Sequence, residues 1–229
     1  MNNLANYIKN KRLNNYNING IAVTEQQTDS DTDFRYAIVN SFKMVPKHFL
    51  TNIKKINIGL TKEMKERDIE GYYKDGVIYV THQVDNEEDF MDNLIHEIAH
   101  AVEENYDNKI YLDGTVEKEF IQKRKKLFEK LKQQNYSPDY SKFINPKYEQ
   151  SFDLYLYKEV GYKKLWSIIG NIFYSPYAAT SLREYFANAF EAIFYKNKVS
   201  EIKSLCPVLY AKIEEITNEN RKREVPEFT

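Results

Sequence analysis

The stretch "NLIHEIAHAVEE", residues 93–104, carries two of the chain's four histidines four positions apart, with a glutamate directly after the first. On a helix, residues i and i+4 lie one above the other, so His96 and His100 project from the same face. Glu97 falls ~100° round from His96 and ~60° from His100, flanking the pair. Two neutral imidazoles set this way can chelate one zinc ion. The glutamate between them is badly placed to join as a ligand but well placed to reach a water at the metal. Phe90, Leu94, Ile98 and Val102 make an apolar i, i+4 stripe roughly opposite the histidines. The helix is therefore expected to bury one face and turn its imidazoles elsewhere. The blander alternative is an amphipathic helix with two incidental histidines, but core histidines are usually isolated and sit on the apolar face.

Upstream, "GIAVTE" (20–25) suggests one strand within a polar, Asn-rich arm covering residues 1–32. Phe34 to Leu50 has helical spacing, and "KINIGL" (55–60) alternates as a strand does. "GYYKDGVIYVTHQ" (71–83) reads as a hairpin turning at Lys74-Asp75-Gly76. The histidine helix is expected to start at Asp85, with Glu88 completing a capping box, and to run to about Glu104. Downstream come a charged amphipathic helix (116–134), an irregular piece (135–150) and the aromatic stretch "FDLYLYKEVGYKKLWSIIGNIF" (152–173). After a break at "YSPYAATS" there follow a helix from Leu182 and a short terminal helical segment. Strands early and helices late give an α+β fold, with residues 33–229 as a single domain.

The composition, 42% hydrophobic and 29% charged with a net charge of −1, is that of a globular chain and offers no basic field for nucleic acid. One cysteine, Cys206, excludes an internal disulfide framework and a thiolate metal cage. No apolar run approaches the ~20 residues of a membrane span, and the first fifteen residues lack a signal-peptide core. The expectation is a chain cytoplasmic as synthesised, with no membrane partner.

A catalytic zinc takes three protein ligands and leaves a position for water. The metzincin pattern fails, because Glu103 and Tyr106 stand where a glycine and a third histidine are required. His48 and His82 lie upstream, and Asp113 in "LDGT" lacks the surrounding pattern of the aspartate-ligated zincins. The best remaining candidate is Glu184 in "REYFANAF". Glu184, Ala187 and Asn188 share a helix face, where the small alanine permits close approach and Asn188 can hydrogen-bond a histidine. Phe186, Phe190 and Phe194 form a separate apolar row.

"HEIAH" followed by "EYFANAF" (184–190) resembles the catalytic domain of anthrax lethal factor and its relatives, including the secreted Pro-Pro endopeptidases of clostridia. The resemblance spans about 93–105 and 174–212, where "SLCPVLYAKI" is similar to that family's closing segment. It implies a zincin-like fold: a small N-terminal mixed sheet with an edge-strand hairpin, then a mainly helical C-terminal part. It also implies one zinc ion held by His96, His100 and Glu184, and a catalytic tyrosine seven residues before the third ligand, which is Tyr177, with Tyr174 as a rival. Asn188 departs from the acidic residue usual at that place. The long interval from His100 to Glu184 implies an insertion within 135–176, either ordinary core or a cover for the cleft.

With these residues Glu97 is the expected general base and a peptide or protein the expected substrate. The strand Val77, Ile78, Tyr79 and Val80 is the expected exposed edge on which an extended chain would pair. The alternative is a zincin-like domain retained without catalysis as a structural or interaction module. An intact Glu97 speaks against that.

Overall fold

The computed structural model describes residues 13–28 and 30–219. Of the arm expected over 1–32, residues 1–12 and 29 lie outside the described residues. The chain divides into two compact units, residues 1–105 and 106–229.

The first unit is built on a five-stranded mixed sheet in the order β1-β2-β3-β5-β4. β1 (Leu13–Ile18) and β2 (Ile21–Gln26) form an antiparallel hairpin across Asn19-Gly20, both at positive φ. β2 is the strand expected at residues 20–25, while β1 was not among the expected elements. The polar run "LNNYNI" masks a strand, although Asn-Gly between two candidate strands is the strongest short-range hairpin signal. β3 (Lys55–Ile58) lies parallel to β2, and β5 (Val77–Val80) lies parallel to β3. β4 (Gly71–Lys74) pairs antiparallel with β5, and the turn at Asp75-Gly76 has positive φ at both residues.

This order corrects one expectation. Val77, Ile78, Tyr79 and Val80 are not an edge: β5 is bonded on both sides, and the edge beside it is β4. In a hairpin either strand can be outermost, and here the parallel β3–β5 pairing, joined by a crossover, claims the free side of β5.

α1 (Phe34–Met44) is started by Asp33, whose carboxylate accepts the Tyr36 N–H at 2.9 Å. It stops short of Leu50 because Pro46 forces Val45 into extended geometry, and a 3-10 turn (Lys47–Leu50) follows. α2 (Lys62–Arg67) crosses from β3 to the β4–β5 hairpin. α3 (Glu87–Tyr111) is the histidine helix. Asn86 caps it by accepting the Asp89 N–H at 2.9 Å, in place of the expected box on Asp85. Phe90, Leu94, Ile98 and Val102 are buried as their spacing requires, each contributing ~1.5–3 kcal/mol of apolar transfer.

The second unit is helical. After Gly114 (φ 69°) comes α4 (Thr115–Gln133). Then follow the short α5 (Tyr140–Phe143) and α6 (Gln150–Leu154), a π-helical stretch (Tyr155–Gly161) and α7 (Tyr162–Ile169). A 3-10 turn (Tyr177–Ala179) leads into α8 (Leu182–Phe194), with α9 (Val199–Leu205) and α10 (Pro207–Asn218) closing the unit. The aromatic stretch is helical but interrupted at Gly161 (φ 82°). Its Phe152, Leu156, Leu165, Ile169 and Phe173 are buried, as is Phe143 before it, and supply core. Arg124 is buried among them. Its guanidinium lies 4.1 Å from the Phe152 ring centre and donates to the carbonyls of Asn145 and Lys142, pinning the 139–154 segment to α4.

Candidate functional site

His96 and His100 stand on one face of α3 with ring centres 5.0 Å apart and planes nearly perpendicular. His100 is buried, and its Nδ1 lies 3.2 Å from Oε2 of Glu103, also buried. An ionised carboxylate can only accept, so this contact favours the tautomer with its proton on Nδ1. Such a carboxylate behind a ligating imidazole fixes its tautomer and raises its basicity. The sequence reading passed over Glu103 as merely not a glycine. Its place three residues after His100, on the same helix, was the available signal.

Glu97 is 5% exposed on the same helix. A methyl added at Gly71 of β4 would lie 2.9 Å from Glu97 Oε1 and 3.1 Å from the Tyr79 carbonyl oxygen. Only a residue without a side chain lets the edge strand pass so close to that carboxylate. Beside it, Tyr72 stacks on its cross-strand partner Tyr79 with ring centres 4.5 Å apart.

Glu184 occupies the first turn of α8, where Ser181 caps the helix by accepting the Glu184 N–H at 3.2 Å. α8 is held within its unit by Tyr185, whose hydroxyl donates to Glu119 Oε1 at 2.8 Å. Glu119 also accepts the Val208 N–H at the start of α10. One potential ligand atom from each of His96, His100 and Glu184 lies within 4.8 Å of the other two. Among the described residues this is the one grouping of three or more His, Cys, Asp or Glu side chains able to hold a metal.

The donor set fits zinc. Two imidazole nitrogens and one carboxylate oxygen form a three-ligand set with a position to spare, and the Glu103 contact already favours one tautomer of His100.

The other candidates fall elsewhere. His48 packs its ring on Phe49. His82 is half-buried, and burial lowers its pKa. Asp113 pairs with Lys212 at 2.8 Å and accepts from Thr115, which together hold its carboxyl well below the usual carboxylate range.

Tyr177 opens the 3-10 turn before α8. Burial and then the negative charge of Glu184 raise its hydroxyl pKa well above the ordinary tyrosine value. Tyr162, raised by burial and by Asp153, also feels Glu184. Asp153 accepts the hydroxyls of Tyr148 (3.0 Å) and Tyr162 (2.9 Å).

Asn188 is a correction. Its amide bonds to Ser175 and to the Glu184 carbonyl, not to a histidine. An asparagine one turn along the helix reaches back to its own i−4 carbonyl, and its remaining oxygen meets the preceding loop.

Comparison with protein-family models, with curated proteins and with solved structures gives no match for this chain. Among the described residues, no helix is long and apolar enough to cross a membrane.

Proposed function

We propose that this protein is a zinc-dependent metalloendopeptidase of zincin type, with His96, His100 and Glu184 holding one zinc ion. The observation that carries this reading is the convergence of those three ligand atoms within 4.8 Å, around an H-E-x-x-H helix whose His100 is backed by Glu103. A zinc ion held there supplies Lewis acidity and acidifies a bound water. Glu97 accepts a proton from the attacking water and returns it to the leaving amine nitrogen as the C–N bond breaks. Tyr177, a neutral phenol, donates a hydrogen bond to the oxyanion that develops on the carbonyl oxygen. The free edge of β4 offers backbone groups to an extended peptide, with Gly71 allowing that strand to run against Glu97.

Metal analysis of the purified protein, combined with peptide-library profiling, tests the reading. Wild type is expected to hold one zinc and to cut peptides. Glu97→Gln should keep the metal and lose about 10²–10⁴-fold in cleavage, and Glu184→Ala should lose metal on dialysis. Zinc retention by Glu184→Ala equal to wild type, or a zinc-loaded wild type that cuts no peptide, sinks the proposal.

A further inference from the structure

The turn carrying Tyr177 is tied to the helix carrying Glu184 through the side-chain amide of Asn188. Ser175 Oγ donates to Asn188 Oδ1 at 2.6 Å and accepts the Ala178 N–H at 3.0 Å. Asn188 Nδ2 donates to the Glu184 carbonyl at 2.9 Å. The polarity of this chain is fixed at both ends. A carbonyl oxygen only accepts, so the amide nitrogen must face Glu184. Ser175, already accepting from Ala178, gives its one proton to the amide oxygen. A carboxylate at position 188 could take the Ser175 proton but could not donate to the Glu184 carbonyl. Asn188 is 7% exposed, so each of these bonds would be costly to leave unmade. On the other side of the turn, Thr180 donates to the Tyr177 carbonyl from both its N–H (2.9 Å) and its hydroxyl (2.8 Å).

We infer that Ser175 and Asn188 are positioning residues: their hydrogen-bonded pair latches the Tyr177 turn to α8 and so sets the Tyr177 hydroxyl relative to the Glu184 carboxylate. Neither touches the reacting atoms; both act through Tyr177. The inference rests on the reading of Tyr177 as the oxyanion donor. It also accounts for an amide at position 188 where the lethal factor-like pattern has an acid: the site uses both a donor and an acceptor there.

Hydrogen exchange on the full chain, read by mass spectrometry over residues 174–182, tests the latch without any need for activity. In Ser175→Ala and Asn188→Ala the Ala178 amide is expected to exchange about tenfold faster, with α4 unchanged. Ser175→Thr, which keeps the hydroxyl, should restore wild-type exchange. Kinetics test the consequence. Asn188→Ala should lower kcat about 10–100-fold with KM and zinc content unchanged, and should cost little more when added to Tyr177→Phe. Unchanged exchange at Ala178 in Ser175→Ala overturns the latch. A full loss from Asn188→Ala on the Tyr177→Phe background overturns its action through Tyr177. A wild type that cuts nothing refutes the peptidase reading, and the exchange result still decides the latch.

Discussion

At His100 the two ring nitrogens have separate tasks. Nδ1 is engaged by Glu103, and Nε2 is the nitrogen that the proposed zinc ion would use. Glu103 is buried, so its charge is only weakly screened by water. Glu103→Ala is expected to weaken zinc affinity about 10–100-fold while the helix stays folded. Competition against a chelator of known affinity, with circular dichroism as the folding control, measures it. Affinity equal to wild type would reduce Glu103 to a helix-face acid. This pairing was legible in the sequence, since three residues along a helix brings side chains together. The partner of Asn188 was not, because Ser175 lies thirteen positions upstream across a turn.

At the scale of elements, the decisive pairing is β4 beside β5. Both strands were expected from alternation and the Asp75-Gly76 turn, but alternation does not say which strand of a hairpin faces outward. The parallel contact of β5 with β3 decides it. The glycine at the head of β4 then acquires a meaning hidden in the sequence. Gly71→Ala places a methyl against Glu97 and the Tyr79 carbonyl. The flexible carboxylate yields before the backbone does, so the loss is expected mainly in catalysis: about tenfold or more in kcat, with little change in zinc content. Steady-state kinetics beside metal analysis checks this. Wild-type kcat in Gly71→Ala would show that the close approach has no bearing on Glu97.

Across the whole molecule, half-buried tyrosines occur in both units. Burial, with Glu25 beside it, raises Tyr16 in the first unit. In the second, burial pushes Tyr155 up to about 12, and burial with Asp153 raises Tyr162 further. Each group keeps its proton longer folded than unfolded. The stability this confers is complete below the ordinary tyrosine pKa of ~10 and is lost as pH rises through the folded values. Denaturation midpoints are expected to be flat from neutrality to about pH 9.5 and to fall steeply above pH 10, as the 295 nm absorbance of phenolate rises. Phenolate absorbance developing fully near pH 10, with no loss of structure, would contradict the burial of these hydroxyls.

Local spacing determined what is local. The i, i+4 histidines, the stripe from Phe90 to Val102 and the Asp75-Gly76 turn each follow from the pitch of one element, so residues 93–104 by themselves set two imidazoles on one helix face. Glu184 was reached by elimination and by resemblance to a known pattern, because eighty-four positions separate it from His100 and no periodicity spans that interval. Tertiary structure alone decided that β4 is the edge and that Asn188 serves the Tyr177 turn. It also decided that the aromatic stretch is core around a buried Arg124. Those outcomes depend on which surfaces of separate elements meet, and a one-dimensional pattern records each element's faces but not their partners.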